Sequence, residues 1–501
     1  MSVALLWLRR DLRLADHPAL CAALGSAERL VPVFCLDRRL LEGRNRSDVR
    51  TQLLIDCLKE LDRSLQERGS GLVLVDGAPE RKLPALARAL GAQAVHASAD
   101  LAPFAVRRDR RVRRALESMG VALHLHPGLY VVDDPAAIRT RAGEPHTTFT
   151  PYHRAWCKAE RRAVLAAPPL LPPLVGATRR TQLPSPSQLG LRGARARAPR
   201  GGEEAARQAM EAFLAEGLDG YARDRQLLRE GASSRLSPYL RFGCISPREL
   251  EALASPGADA QELHRQLCWR DFYAQVLRHF PENVRHEHQR RYRGTLRFER
   301  SERAFQAWRE GRTGYPIVDA AMRQLASEGW LPNRARLISA CFLCKDLGID
   351  WRWGERWFMR QLLDGDVASN NGNWQWIASV GVDPQPPARR LYNPVLQQRR
   401  YDPDGRYVRR HLPELARVPD EHLAEPWLMP AALQREVGCV IGRDYPAPIV
   451  EHACARREAL CRYERARHRG AVESGRAPAA RQSVADCERG DRSSQIGHTD
   501  M

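Results

Sequence analysis

The sequence contains very little lysine. Four of its 79 basic residues are lysines (Lys59, Lys82, Lys158 and Lys345), so the remaining 75 are arginines. An arginine excess of this size often follows coding bias, and the net charge of +19 is therefore weak evidence, taken alone, for a polyanionic partner. If such a partner exists, the charge favours nucleic acid over a membrane surface.

Long apolar runs are also absent. The first run, Val3 to Leu8, is broken at once by Arg9, Arg10 and Asp11. It is too short for the core of a signal peptide or for a membrane-spanning helix. We therefore expect a soluble, cytoplasmic protein.

Closely spaced cysteines are scarce as well. The 12 cysteines are scattered, and the close pair Cys341 and Cys344 lies within an apolar helical pattern. A metal or cluster site would need further ligands at short spacing. The pattern therefore favours reduced, packed thiols.

No Gly-x-Gly-x-x-Gly follows the first predicted strand, where Trp7-Leu-Arg-Arg-Asp-Leu-Arg13 stands instead, and this argues against a standard dinucleotide-binding domain. Short apolar runs nevertheless alternate with helix-length segments such as 48–67 and 104–119, which is typical of a parallel sheet covered by helices. The predicted strands are Val3 to Leu8, Leu30 to Leu36, Leu72 to Val75, Ala94 to Ala97 and Val121 to His126.

A chain of 501 residues is too long for one ordinary core and predicts two folded domains. We predict an α/β domain over 1–130, a proline-rich interdomain linker over 131–203 and an all-α domain over 204–463. The last segment, 464–501, is low in large apolar residues and is predicted to be disordered.

Eight of the 11 tryptophans lie between Trp269 and Trp376, several of them beside Arg, Asn or Gln. Such a cluster suits stacking on a planar heterocycle or on unstacked bases, although a tryptophan-rich core is the alternative. The segment from Gly231 to Leu240 places hydroxyls before a helical pattern. It is either a phosphate cradle or an N-cap followed by proline.

Together these motifs resemble the photolyase/cryptochrome family, most closely its bacterial class I cyclobutane pyrimidine dimer photolyases, over residues 2–463. The resemblance implies a Rossmann-like α/β domain that can bind an antenna, followed by an all-α domain that binds FAD and DNA. The most specific segments are Leu6 to Arg13, Trp269 to Tyr273, Thr313 to Arg323, Asp364 to Asp366 and Asn373 to Trp376.

The family's flavin site implies hydroxyls that hold the diphosphate, Arg336 paired with Asp364 beside the isoalloxazine ring, and Asn370 facing flavin N5. The matching positions are Tyr221, Ser233, Ser234, Arg235, Leu236, Ser237, Arg270, Trp330, Asn333, Arg336, Asp364, Gly365, Asp366, Asn370 and Trp374.

The resemblance also implies a substrate, UV-damaged DNA whose pyrimidine dimer is flipped out and split by an electron from photoexcited, reduced FAD. Trp269 and Trp376 match the tryptophans that sandwich the dimer, and Gln266 and Asn333 complete the implied catalytic set. The implied DNA contacts add Arg334 and Gln397, with Arg389, Arg390, Arg399 and Arg400 as candidates for the rim. A monomer is expected from the family.

Gln266 stands where class I enzymes typically carry glutamate, and glutamine is usual in (6-4) photolyases. Those enzymes carry a histidine pair where Asn333 and Leu337 stand here, so the proton donor for (6-4) repair is missing. Dimer repair therefore remains the prediction, with Gln266 bonding a thymine edge as a neutral amide. A cryptochrome-like photoreceptor and a general nucleic-acid-binding flavoprotein are the alternatives.

The family's photoreduction chain has three tryptophans. Trp374 and Trp351 match the first two, but Phe298 occupies the third position and is much harder to oxidise. Our hypothesis is that Trp353 or Trp357 carries the electron between the protein surface and this chain, so that photoreduction survives. The alternative is that both residues serve only in packing.

The α/β domain of this family can hold a light-harvesting antenna. Asp100 to Asp109 resembles the version that binds 8-hydroxy-5-deazaflavin rather than methenyltetrahydrofolate, because Phe104 and Ala105 replace the Asn-Glu pair of folate-binding relatives. The implied antenna contacts are Phe34, Arg50 and Asp100, with apolar helix packing as the alternative.

Overall fold

The computed structural model describes residues 1–175, 183–191, 199–254, 256–383 and 385–473. These residues form two compact units, which are described separately below. The first unit comprises Met1–Pro281, Gln324–Pro332 and Arg356–Gly372, and the second comprises Glu282–Arg323, Asn333–Glu355 and the chain from Asn373 onward.

The first unit contains a five-stranded parallel sheet with the order β3-β2-β1-β4-β5. Its strands are β1 (Val3–Leu8), β2 (Arg29–Leu36), β3 (Val73–Asp76), β4 (Ala94–Ser98) and β5 (Ala122–His126). All five lie within a residue or so of the predicted runs. Every residue of β1 is buried, as its uninterrupted apolar sequence requires for a central strand covered on both faces.

Helices connect these strands, and the helical segments predicted at 48–67 and 104–119 are confirmed. Ser47 caps the first of them by accepting a hydrogen bond from the Arg50 backbone N–H. The helices are α1 (Pro18–Ser26), α2 (Arg38–Leu41), α3 (Asp48–Glu67), α4 (Pro79–Leu90) and α5 (Pro103–Glu117).

The predicted linker contains a helix, α6 (Phe149–Lys158). Phe149, Tyr152 and Trp156 are buried along one face of α6, at helical spacing. The interdomain linker over 131–203 stays a prediction, and α6 is an ordered, packed helix within it. Parts of this segment, 176–182 and 192–198, lie outside the described residues.

Beyond His126 the described residues form helices, turns and isolated bridges, without a further β-strand. The α/β and helical regions predicted from the sequence are therefore confirmed. The helices are α7 (Glu203–Ala212), α8 (Tyr221–Asp224), α9 (Ser237–Phe242), α10 (Pro247–Leu253), α11 (Ala258–His279), α12 (Glu302–Glu310), α13 (Pro316–Glu328), α14 (Asn333–Cys341), α15 (Trp351–Gln361), α16 (Val367–Ile377), α17 (Pro394–Tyr401), α18 (Arg406–His411), α19 (Asp420–Leu423), α20 (Ala431–Val437) and α21 (His452–Glu473).

Helix α21 extends to Glu473, so disorder from residue 464 onward is wrong for 464–473. Ala466 is buried, and a Cβ on Gly470 would come within 2.5 Å of the Arg291 carbonyl oxygen. Small residues rather than large apolar ones form this packed face, which is why composition missed it. The rest of the predicted tail, 474–501, lies outside the described residues.

Hydropathy gives no candidate for a membrane-crossing segment among the described helices, since none is both long and apolar enough.

Candidate functional site

A cluster in the first unit joins the serine-rich loop before α9 to two distant segments. The Ser237 hydroxyl donates to the Asp364 carboxylate (2.6 Å) and accepts from Trp330 Nε1 (3.2 Å). Arg235 lies over the Trp330 ring at 4.3 Å and donates to Glu328 at 2.8 Å. The structure therefore brings together four of the predicted flavin-site residues.

The loop itself presents donors rather than apolar groups. Ser233, Ser234 and Ser237 are half-buried, while the Arg235 side chain is 47% exposed. The backbone of Arg235 has a left-handed φ of 51°, which places it at a sharp turn. Hydroxyl and guanidinium donors on one turn suit the diphosphate of a dinucleotide.

Asp366 is held ionised close to this cluster. Its carboxylate accepts from Arg10 Nη2 (2.6 Å) and from the Ser369 backbone N–H (2.9 Å). Burial by itself would raise the pKa of Asp366, but the charges of Arg10 and Arg241 outweigh it and hold the pKa well below its usual range.

Arg241 is a candidate site residue that the sequence did not indicate. Its Nε donates to the Gly365 carbonyl (2.7 Å), while its buried Nη1 has no hydrogen-bond partner among the described residues. Burial, and then the like charge of Arg10, lowers the pKa of Arg241 to about 9. A buried donor without a partner is costly, so the donor set fits an acceptor supplied by a ligand.

Arg10 connects this region to the carboxyl edge of the sheet. Its Nη1 lies 3.4 Å from Asp100, which follows β4. Strand order reverses between β1 and β4, and ligands of open parallel sheets bind at such a switch point. Of the other predicted antenna residues, Phe34 is buried in β2, and Arg50 donates to the carbonyls of Met359 and Leu362.

Trp269 lies on α11 with one face covered. The Phe149 ring is parallel to it, with centroids 3.6 Å apart and planes 3° apart. Gln266, one turn earlier, donates its amide N–H to Glu262 (2.7 Å), which also pairs with Arg225 (2.7 Å). Trp269 and Gln266 remain half-buried, so both can contact a ligand.

The arginine and aspartate that follow Trp269 fasten α11 to the rest of the unit. Arg270 donates to the Leu129 carbonyl and lies over the Tyr130 ring at 5.4 Å. Asp271 accepts from Trp156 Nε1 (3.0 Å) and from the backbone N–H groups of residues 131 and 132. Burial raises the pKa of Asp271 to about 6 despite these donors.

In the second unit, Trp376 lies in the last turn of α16 beside a buried cation. The Arg390 guanidinium lies 4.1 Å from the Trp376 ring centroid and donates to the Trp376 carbonyl (3.0 Å). Arg390 is 2% exposed, so its prediction as an exposed rim residue is wrong. Arg389, Arg399 and Arg400 are exposed.

Trp374 is buried against α15, because a Cβ on Gly354 would collide with its ring. The Trp308 ring is edge-on to the Trp374 ring, with 6.3 Å between the two centroids. Phe305 lies 5.8 Å from Trp308 and 5.1 Å from the half-buried Trp353. Trp351, the predicted second member of the chain, is fully buried.

The remaining predicted residues are dispersed. Tyr221 is buried, and burial raises its pKa to about 12. In the first unit Leu236, Gly365 and Asn370 are buried and Trp357 is half-buried. In the second unit Asn333 is exposed, Arg334 lies 4.2 Å from the Tyr401 ring centroid, and Arg336 and Gln397 are half-buried.

Two family models match most of the chain. Residues 4–173 match the model described as DNA photolyase, and residues 263–465 match the FAD binding domain of DNA photolyase, which confirms FAD as the expected cofactor. A deoxyribodipyrimidine photo-lyase from Streptomyces griseus is 39% identical, covering 93% of this chain and 99% of that protein. One from Escherichia coli is 35% identical over the same shares of the two chains.

Solved structures share the fold. A bacterial class III photolyase from Agrobacterium tumefaciens has a TM-score of 0.87 at 32% identity, covering 93% of this chain and 98% of that one. A cryptochrome from Synechocystis has a TM-score of 0.85 at 30% identity, covering 93% and 99%. With relatives of this identity and coverage, the chain belongs to the DNA photolyase family.

Proposed function

We propose that this protein repairs cyclobutane pyrimidine dimers in DNA by light-driven electron transfer. The observation that carries the proposal is a half-buried Trp269 with one face covered by Phe149, in a chain whose curated relatives are named deoxyribodipyrimidine photo-lyase. A flipped, poorly stacked dimer would gain an aromatic surface by contact with the accessible part of this ring.

The first unit's residues suit the flavin. Bound FAD supplies the electron that light excites. Ser233, Ser234 and Arg235 would hold the diphosphate, and Asp366 remains ionised beside Arg10. Asn370, 9% exposed, would present its amide to the ring, while the pairing of Arg336 with Asp364 stays a prediction.

Gln266 would contact the base edge. Because its amide N–H donates to Glu262, its carbonyl oxygen is directed as an acceptor, which suits the N3–H of thymine. Trp269 would hold the base plane. For Trp376, Asn333, Arg334 and Gln397 the DNA-binding role stays a prediction from the resemblance.

To test this function, UV-damaged oligothymidylate is mixed with the purified, reduced holoenzyme and illuminated. Recovery of thymine absorbance in light but not in the dark is expected, and Trp269→Ala should weaken dimer binding. No recovery would overturn the repair function, and a light response of the flavin without repair would favour a cryptochrome-like photoreceptor. Repair of (6-4) products would contradict the interpretation of Asn333 and Leu337.

For photoreduction, we infer an exit through Trp308 and Trp353. Trp308 is edge-on to Trp374 at 6.3 Å, and Phe305 is in ring contact with both Trp308 (5.8 Å) and Trp353 (5.1 Å). Electrons would pass from Trp353 toward Trp374, with an external thiol restoring Trp353. Trp353→Phe should slow light-driven flavin reduction, whereas Trp357→Phe should not. Equal rates in the wild type and Trp353→Phe would refute this route.

We also propose a second chromophore at the β1/β4 switch point, with 8-hydroxy-5-deazaflavin favoured. Asp100 and Arg10 meet there, and Arg241 near Arg10 has an unpartnered donor. An archaeal photolyase from Sulfolobus tokodaii is described with two FAD molecules, so FAD is the competitor to test. The protein is incubated with each chromophore and passed over a gel-filtration column. We expect the deazaflavin to elute with the protein in a one-to-one ratio, and we expect Asp100→Asn to retain less of it. Exclusive retention of a second FAD would reverse the assignment.

Finally, we propose a cytoplasmic monomer. Light scattering of the eluted protein and cell fractionation test these two points.

A further inference from the structure

Lys345 is an unusual residue for this chain. Of the four lysines, Lys59, Lys82 and Lys158 are exposed, whereas Lys345 is 0% exposed. It lies in the π-helical turn Phe342–Asp346 that continues α14 in the second unit. Buried lysines are rare unless the ammonium group has a specific partner.

The partners of Lys345 are a hydroxyl and an aromatic ring rather than a carboxylate. Its Nζ donates to the Ser379 hydroxyl (3.1 Å) and lies 3.8 Å from the Tyr463 ring centroid. No carboxylate pairs with this ammonium among residues 1–175, 183–191, 199–254, 256–383 and 385–473. Burial lowers the pKa of Lys345 to about 7.

Ser379 belongs to a tightly held turn that follows α16. Its backbone has a left-handed φ of 56°, which is costly for a residue with a side chain. Gln289 donates to the Gly381 carbonyl (2.9 Å), and the Tyr463 hydroxyl donates to the Ala378 carbonyl (2.5 Å). Lys345 therefore supports a strained conformation that several other bonds also maintain.

This turn fixes the backbone of Trp376. The Trp376 carbonyl accepts from the Ser379 backbone N–H (3.1 Å) and from Arg390 Nη1 (3.0 Å). A cation near the carbonyl end of a helix is favourable, and a compact ammonium can reach one hydroxyl where a guanidinium would need several acceptors.

We propose that Lys345 is a positioning residue that, through Ser379 and the turn at 378–381, holds Trp376 in the orientation required to stack on a base of damaged DNA. The proposal rests on the function proposed above, because it takes Trp376 as a base-stacking residue. The partner of the positioned ring is an extruded pyrimidine, recognised by its flat face.

The surroundings make this arrangement sensitive to pH through one group. The charged neighbours are Arg390 and Arg462, and burial raises the pKa values of Cys341, Cys344 and Tyr463 above their usual ranges. Asp383 pairs with Arg390, and Asp346 pairs with His452. Loss of the Lys345 proton above about pH 7 removes the cation from the Tyr463 ring.

The experiment compares holoenzymes carrying Lys345→Met, Ser379→Ala and, as a matched control, the exposed Lys59→Met. Dark affinity for an oligonucleotide with one dimer and for its undamaged counterpart is measured by anisotropy below and above about pH 7. We expect Lys345→Met to weaken dimer binding about fivefold to thirtyfold, with undamaged DNA unaffected. Ser379→Ala should weaken dimer binding to a smaller degree, and Lys59→Met should bind both oligonucleotides as the wild type does.

A double-mutant cycle separates positioning from general damage to the fold. Added to Trp376→Ala, Lys345→Met should cause no further loss of dimer affinity, because the ring it positions is gone. Wild-type dimer affinity should fall above about pH 7, and that of Lys345→Met should not.

Unchanged dimer affinity in Lys345→Met, or an equal loss on the Trp376→Ala background, would overturn the proposal. If Lys345→Met does not fold, Ser379→Ala and the wild-type pH profile decide in its place. A wild type that fails to distinguish damaged from undamaged DNA would instead refute the proposed function.

Discussion

Trp269 and Trp376 have the same predicted role but contrasting surroundings. Trp269 lies against a parallel Phe149 ring and is edge-on to Phe272 at 5.6 Å, so aromatic groups hold it. Trp376 lies beside the Arg390 guanidinium at 4.1 Å, and hydrogen bonds to its carbonyl hold its backbone.

The two arrangements should respond to different conditions. Aromatic packing depends on volume and shape, and it changes little with pH or salt. A ring that depends on cations and on a strained polar turn responds to protonation and to loss of single hydrogen bonds. Substitutions around each tryptophan can therefore show whether the contrast is real.

The largest effect is expected for Phe149→Ala. Removing this buried ring leaves a cavity beneath Trp269 and should lower the free energy of unfolding by about 3 to 5 kcal/mol. Urea denaturation at two pH values measures it, and the loss should be the same at both. Phe149→Leu, which fills most of the volume, should lose less stability. A strongly pH-dependent loss would show that His153, which stacks on Phe149 at 5.5 Å, also contributes to the support of Trp269.

A smaller effect is expected for Asp271→Asn, which alters the anchor of the helix that carries Trp269. Replacing the acceptor of three N–H groups should cost about 1 to 3 kcal/mol. Because burial raises the pKa of Asp271 to about 6, the folded state binds this proton more tightly than the unfolded chain does. The wild type should therefore lose stability as pH rises from about 4 to about 6, and Asp271→Asn should lose less. If the free energies of unfolding of the two proteins changed with pH in parallel, Asp271 would not be the group responsible for the pH dependence.

Arg390→Met should weaken binding of dimer-containing DNA about fivefold to thirtyfold, since it removes the cation beside Trp376. Undamaged DNA should bind as before, because Arg390 is buried and already pairs with Asp383. Arg389→Met is the matched exposed control and should weaken both DNAs equally. Equal weakening of both DNAs by Arg390→Met would restore the rim role that the structure argues against.

The sequence predicted elements whose pattern is local. The five strands are short apolar runs, and the segment 48–67 has helical spacing throughout, so both were found. Helix α6 was missed because prolines follow its apolar face, and residues 464–473 were missed because their packing depends on small side chains such as Ala466.

The candidate site shows the same limit. Motif residues such as Ser237 and Asp364 were identified by resemblance, and the structure joins them by a hydrogen bond. Supporting residues such as Phe149 and Lys345 lie far in sequence from Trp269 and Trp376, and Arg241, although it shares α9 with Ser237, belongs to no motif. Their roles depend on tertiary contacts, which periodicity and composition do not report.

The smallest effect is expected for Gln266→Glu, one turn before Trp269. The new carboxylate would face Glu262 four residues earlier, in place of the present amide donor. Like charges at this spacing cost about 0.2 to 0.5 kcal/mol, and the Arg225 pair with Glu262 should offset part of it. Repulsion should raise the pKa of the new carboxyl, so dimer affinity should approach that of the wild type at low pH and fall as pH rises. Gln266→Ala, which has no charge, should weaken dimer binding to the same degree at every pH. If the dimer affinity of Gln266→Glu did not change with pH, Glu262 would not orient residue 266. In that case no charged group would act on the Trp269 region through Gln266, in contrast to the polar surroundings of Trp376.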